Sequence, residues 1–319
     1  AMKRLVACVV PAVVVGITLR GQQDPDAFDD ARATGALQRV AAVEEIRASR
    51  VLCRIRPDGD FDSVTVRLHG DNSRSIAFNG DVSGYETKVR CLGGPDPQCT
   101  AVAAQREASS ADACPPCPCA GIVGEPAGPY SRQVASKLNA MCSRDGSTRI
   151  LLLGLGCGEL ASHVAHHCGT TTEIEAVELD PRLPTLARTY FGMPDSVRVT
   201  VGDALPFVLA KRDASGGGDR YDVVFVDCFS VGGQTPEHCR SAEFLRAVHA
   251  LVRAGGEVIQ HLWHKDDAHA SVAEEFKNTV ALYRSEFNCD GCRVSEKSVG
   301  VDSVDTLVVA ALPSTAGAS

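Results

Sequence analysis

Three acidic residues each close an apolar run. Glu178 ends Ile174-Glu-Ala-Val, Asp203 follows Val197 to Gly202, and Asp227 ends Tyr221-Asp-Val-Val-Phe-Val. If the runs are neighbouring parallel strands, their carboxyl ends gather along one edge, where ligands of such sheets bind. A carboxylate accepts hydrogen bonds only, so Glu178 suits the hydroxyls of a ribose and Asp203 the exocyclic amine of an adenine. Asp227 is left for the reacting end. A single acid at a strand end reads as a helix cap or a turn residue. Three in succession read as a site.

Ahead of the acids lies Leu153-Gly154-Leu155-Gly156-Cys157-Gly158, placed between the apolar run from Ile150 and the helix-like Glu159-Leu-Ala-Ser-His-Val. Strand, tight turn and helix start follow in that order. Without Cβ atoms the backbone can approach a ligand closely, and the free N–H groups of the helix face the same spot. Glu178 comes 20 positions after Gly158, the offset at which an acid meets a ribose in a nucleoside-binding βαβ unit. The turn reads G-x-G-x-G, not the G-x-G-x-x-G of dinucleotide sites, and Glu159 would repel a pyrophosphate. These features favour a nucleoside cofactor without phosphates.

The elements that must hold these residues alternate regularly. After a helix over Pro129 to Met141, the pattern predicts strands ending at Leu155, Glu178, Asp203 and Asp227, then one over Glu257 to Leu262 and two over Cys292 to Val299 and Thr306 to Leu312. Helices are expected at Glu159 to His167, from Pro181 to Phe191, behind Ser241 as its cap and closed by Gly255-Gly256, and across Val272 to Phe287. The fold class is α/β, a doubly wound, mostly parallel, seven-stranded sheet over residues 129–313. Residues 36–90 read as a small antiparallel β module, with Leu37, Val40, Val43 and Ile46 as a short helix and Val51-x-Cys53-x-Ile55 and Val64-x-Val66-x-Leu68 alternating as strands. Residues 91–128, rich in Cys and Pro, read as an insertion or linker.

The chain has 319 residues, 44% of them hydrophobic, enough to bury a large core. A net charge of −8 with scattered lysines and arginines forms no basic stripe, so nucleic acid is not an expected partner. Met2-Lys-Arg followed by an apolar stretch from Leu5 to Leu19 has the layout of a signal peptide or anchor over residues 1–21, although no A-x-A cleavage site follows. Contact with a membrane is expected only through that segment. Fourteen cysteines agree with a secreted or secretory-lumen location, cytoplasmic being the alternative, and loss of Cys8 with a signal would leave an odd number. Cys114-Pro-Pro-Cys-Pro-Cys119 and Cys289-x-x-Cys292 lie too far apart for ordinary zinc-finger spacing, so disulfides are expected and no metal.

The glycine turn, Ala176-Val-Glu-Leu-Asp-Pro181, Val201-Gly-Asp-Ala204 and Tyr221 to Asp227 together resemble class I S-adenosylmethionine-dependent methyltransferases of the spermidine-synthase-like branch, whose fold is Rossmann-like. The similarity runs from Tyr130 to Leu312, and the preceding β module is similar to the N-terminal hairpins of spermidine synthases. Within the branch, Ile174 to Phe191 and the following Gly-Met-Pro-Asp-Ser-Val-Arg-Val look most like the C-terminal half of the translation elongation factor methyltransferase. The resemblance implies S-adenosylmethionine as cofactor, with Gly154, Gly156 and Gly158 along its methionine part, Glu178 on the ribose, Leu179 on the adenine face, and Asp203 with the Ala204 backbone at the adenine edge. Asp227 matches the aspartate that helps accept the amine proton in spermidine synthases.

Two departures weaken the alternative of polyamine aminopropyl transfer. Cys157 stands where those synthases carry an aspartate within the turn, and Ser230 where they carry a second one three residues after Asp227. A dication needs such carboxylates. The acceptor is therefore expected to be a protein or a small amine, with a second copy in a homodimer as a further partner. The remaining alternative is a non-catalytic member that keeps the fold for binding. Tyr130, His261 and Trp263, before the first strand of the large domain and at the end of its fifth, are candidates for the substrate wall.

Overall fold

The computed structural model describes residues 44–58, 61–78, 87–94, 96–107, 114–126, 128–142, 147–215, 220–229, 234–263, 270–299 and 305–314. The expected signal or anchor, the start of the Leu37–Ile46 helix, and Ser230 lie outside them. Among the described residues, no helix is long and apolar enough to cross a membrane.

Two sheets carry the chain. The first is antiparallel, in the order β1 (Arg50–Ile55), β2 (Val64–Leu68), β3 (Ser73–Phe78), β4 (Thr87–Cys91) and β5 (Ile122–Val123). Its first two strands fall on the period-two patterns of the sequence. The 91–128 stretch is not the plain loop its composition suggests: it holds α1 (Pro97–Glu107), and β5 completes the sheet beside β4. Disulfides Cys53–Cys114, Cys91–Cys119 and Cys99–Cys117 supply the organisation that hydrophobic periodicity does not.

The second sheet has seven strands in the order β11-β12-β10-β9-β6-β7-β8. The parallel strands β6 (Thr148–Leu153), β7 (Thr172–Glu178), β8 (Arg198–Val201), β9 (Tyr221–Val226) and β10 (Val252–Trp263) are joined by the antiparallel pair β11 (Arg293–Val299) and β12 (Asp305–Ala311). Strand order reverses between β6 and β9, which is where α/β sheets open a ligand crevice. Apolar residues on both faces, such as Leu151, Leu152, Val223 and Val224, are fully or almost fully buried, as a doubly covered sheet requires. The helices are α2 (Pro129–Cys142), α3 (Glu159–Cys168), α4 (Leu183–Tyr190), α5 (Ala204–Ser215), α6 (Ala242–Leu251) and α7 (Ala270–Glu286). Ser241 caps α6, its Oγ accepting from Phe244 N at 3.1 Å. The Gly255-Gly256 pair does not close that helix; β10 already starts at Val252, and its register with β9 shifts before Glu257.

A third core joins the sheets. Leu52, Val64, Val66, Ile76 and Val89 of the small module pack with Leu183, Leu186, Tyr190 and Phe191 on and beside α4. Arg182 fastens the rim, its guanidinium donating to Arg56 O at 3.0 Å and Asp62 O at 2.7 Å while Asp180 holds it bidentately.

Candidate functional site

The bend after β6 takes a path only glycine follows without strain. Gly154, Gly156 and Gly158 have φ of 101°, 55° and 77°. At Gly154 a Cβ would lie 2.3 Å from Asp227 O, because Asp227 N donates to Leu153 O at 2.8 Å and draws the end of β9 against the turn. Space is open beside Gly156, and Gly158 opens α3 against Ala187 and Met193.

Glu178 points into this bend. Its Oε2 accepts from Leu155 N and Gly156 N, both at 3.0 Å, and its Oε1 from Asp180 N at 2.9 Å. Burial raises its carboxyl above the usual range against the pull of these three donors. A carboxylate offers roughly four acceptor positions, so room for a ligand hydroxyl is left. Leu179, the next residue, is 56% exposed, and Val201 at the end of β8 is 51% exposed, unusual values for apolar residues at a sheet edge. Asp203 lies one strand further on. Its Oδ1 accepts from Leu205 N at 2.8 Å, the helix-cap role open to any strand-end acid, and also lies 3.4 Å from His238 Nε2. Ala204, the first residue of α5, is buried.

Asp227 is held by two side chains from other elements. Tyr130 donates its hydroxyl to Oδ2 at 2.7 Å, and His261 Nδ1 lies 2.9 Å from Oδ1. An ionised carboxylate only accepts, so Nδ1 carries the proton in this contact. The Tyr130 and His261 rings stack at 4.0 Å, and Phe229 meets the imidazole edge-on at 4.9 Å. Tyr130 and His261 are thus partners of the central acid, more than the wall that sequence reading suggests. The sequence signal for His261 is its place at the end of the fifth strand of the large domain; in the structure Gln260 pairs with Val226, which sets His261 beside Asp227. Trp263 closes β10 opposite Asp305.

Cys157 faces the other way. It is 1% exposed and packs in the core between the two sheets with Leu186, Tyr190 and Phe191. Burial, reinforced by Glu159, pushes its thiol far up. A carboxylate at this depth would be costly, which accounts physically for the departure from the synthase pattern. Cys228, next to Asp227, is a thiol hydrogen-bonded to the Cys239 thiol, a contact that together with burial raises its pKa.

The chain was compared with known proteins. No family model matches it. It is 28% identical over 144 residues to a probable polyamine aminopropyl transferase of Bifidobacterium longum, covering 45% of this chain and 30% of that protein. It is 32% identical over 114 residues to an N-terminal histidine N-methyltransferase of Emericella nidulans, covering 36% and 20%. An eEF1A lysine and N-terminal methyltransferase of Danio rerio is 30% identical over 139 residues, 41% of this chain and 20% of that protein. The matches therefore span a third or less of these relatives. Among solved structures, a probable spermidine synthase from Corynebacterium glutamicum superposes with a TM-score of 0.55 at 18% identity, covering 79% of this chain and 77% of that one. Spermidine synthase from Thermotoga maritima gives 0.51 at 15%, covering 82% and 72%. At these identities the solved structures establish the fold. Together with the sequence relatives they bear out the resemblance to class I methyltransferases of the spermidine-synthase-like branch.

Proposed function

We propose that the chain is an S-adenosylmethionine-dependent methyltransferase whose acceptor is an amine on a protein or a small molecule. The observation that carries this reading is the Tyr130–Asp227–His261 array, set on the strand end that presses against the glycine bend. The bend suits the cofactor: Gly156 leaves space, and Leu179 and Val201 offer exposed apolar surface. Gly154, Gly156 and Gly158 would hold the methionine part, Glu178 the ribose, Leu179 the adenine face, and Asp203 and Ala204 its edge. When bound, the sulfonium supplies an already activated methyl group.

The protein's task is then to present a neutral amine in line and keep water out. Asp227 receives an amine N–H on the lone pairs that Tyr130 and His261 leave free, and those two side chains fix the carboxylate's plane. The stacked rings of Tyr130 and His261 with Phe229 close one side of the acid with apolar surface. Calorimetry with S-adenosylmethionine and its demethylated product tests the reading first, followed by transfer of labelled methyl groups to amine acceptors. Failure of both nucleosides to bind at millimolar concentration overturns it.

Aminopropyl transfer is the second reading, supported by the likeness to spermidine synthases over 79% and 82% of this chain. Cys157 buried away from the bend speaks against it, since no carboxylate is supplied there for a dication. Product analysis with decarboxylated cofactor and putrescine separates the two. For location we propose the secretory lumen or the exterior, supported by five disulfides among the described residues.

A further inference from the structure

Cys289 and Cys292 form a C-x-x-C turn between α7 and β11, with Cys292 N donating to Cys289 O at 3.0 Å and Gly291 at φ 79°. Their bridge differs in kind from the other four. Those close 61, 28, 18 and 26 residues and tie separate elements together, whereas this one closes 3. Loop-closure entropy grows with loop length, so a bridge this short constrains the unfolded chain least. It is also accessible: Cys289 is exposed and Cys292 half-buried, whereas each of the bridges Cys53–Cys114, Cys91–Cys119 and Cys99–Cys117 has at least one buried sulfur, although Cys114 itself is exposed. A structural staple is a poor account of it.

A third ligand-type residue meets the turn. His249, in the last turn of α6, comes from 40 positions earlier in the chain, and its ring nitrogen and the two sulfurs all lie within 4.8 Å of one another. The placement is enforced from two sides. Arg246, one turn before His249, makes a bidentate pair with Glu286 at the end of α7, at 2.8 and 2.9 Å. Phe287, itself buried, packs against the imidazole at 4.7 Å between centroids. Two thiolates and one imidazole are the ligand set of a soft divalent cation, with the fourth tetrahedral position left to solvent.

We propose that His249, Cys289 and Cys292 form a site for a zinc-class divalent cation, available when the Cys289–Cys292 bridge is reduced by a dithiol. In the reduction the dithiol supplies two electrons and two protons, the S–S bond breaks, and the reductant leaves as its own disulfide. On metal binding the two thiol protons pass to solvent, two metal–sulfur bonds and one metal–nitrogen bond form, and water completes the shell. Tetrahedral ligation with metal–sulfur bonds of about 2.3 Å places the two sulfurs roughly 3.8 Å apart, a separation within reach of a C-x-x-C turn once its S–S bond is broken.

The test uses the full chain treated with a mild dithiol, with freed thiols mapped by alkylation and mass spectrometry and cobalt(II) as the probe. Expected are two new thiols at Cys289 and Cys292 before any other bridge opens, then one equivalent of cobalt with a thiolate charge-transfer band that zinc displaces. Cys289→Ser abolishes the band. His249→Ala weakens binding about tenfold or more and shifts the visible bands, while Cys228→Ser changes neither. The proposal is overturned if another bridge opens first, if the mapped dithiol gives no band, if His249→Ala binds as the parent does, or if Cys228→Ser removes the signal.

Discussion

The hydroxyl of Tyr130 lies 2.7 Å from Asp227 Oδ2, joining the start of the helix before β6 to the end of β9 across 97 residues. With His261 on the other oxygen, Asp227 is held by two side chains from outside its own strand. Asp227→Asn keeps the shape but loses the proton acceptor. Methyl transfer should fall about 10²–10⁴-fold while cofactor affinity stays within about threefold, read by steady-state kinetics and calorimetry. Tyr130→Phe, which removes one positioning bond, should lower kcat about tenfold with little change in cofactor binding.

Glu178 ties the bend to β7, and in the proposed site it holds the ribose. Glu178→Ala should weaken adenosyl-ligand binding about tenfold to a hundredfold, since hydrogen bonds to a charged acceptor are worth about 1.5–3 kcal/mol. Calorimetry with the demethylated cofactor reads this without any need for turnover. Unchanged affinity would place the nucleoside elsewhere.

Gly154 combines a left-handed φ of 101° with a Cβ position 2.3 Å from the Asp227 carbonyl oxygen. Backbone cannot retreat as a flexible side chain can. Gly154→Ala should cost about 3 kcal/mol or more in stability and displace Asp227, seen as a lower denaturation midpoint together with lost activity. Gly156→Ala meets open space and is strained only through its φ of 55°, so its stability cost should be clearly smaller.

Asp71, in the turn between β2 and β3, carries the clearest acid-range signature. Burial raises its carboxyl, but hydrogen bonds from Ser73 and the charges of Lys88 and Arg90 outweigh that and hold it at about 2. A folded-state pKa below the unfolded 3.8 means the contribution is present above pH 3.8 and is lost as pH falls toward 2. Asp71→Asn should flatten the stability profile across that window and leave the slope above pH 5 unchanged, as equilibrium unfolding at stepped pH would show.

Cys157 offers a check on the reaction class. Cys157→Asp restores the residue type of the synthases, yet it sets a carboxylate in the core between the two sheets. The variant should be destabilised by several kcal/mol, roughly the cost of an unpaired buried charge, and should gain no aminopropyl transfer to putrescine. A folded variant that acquires that activity would reverse the order of the two functional readings.

Much of the large domain was legible in the sequence. Parallel strands buried on both faces read as unbroken apolar runs, so Ile150 to Leu153 and Tyr221 to Val226 stood out, and the acids at their ends came with them. In the small module β1 and β2 were readable because apolar residues recur at every second position, Val51-x-Cys53-x-Ile55 and Val64-x-Val66-x-Leu68. Its completion by α1 and β5 was not, because disulfides hold that stretch and leave no hydrophobic period to read. At the end of α6 the glycine pair looked like a stop signal, whereas pairing with β9 draws the chain into strand from Val252 onward.

By itself the sequence determined which residues could stand at the carboxyl ends of the strands, since each apolar run and the acid that closes it lie within one short segment. It could not determine which way each side chain turns once there. Glu178 folding back onto the bend, Cys157 leaving it for the core, and Tyr130 and His261 closing on Asp227 depend on contacts 22 to 97 residues apart. Only tertiary packing decides these, because each choice is set by what the neighbouring element leaves unburied or unpaired, and that neighbour is absent from any local window.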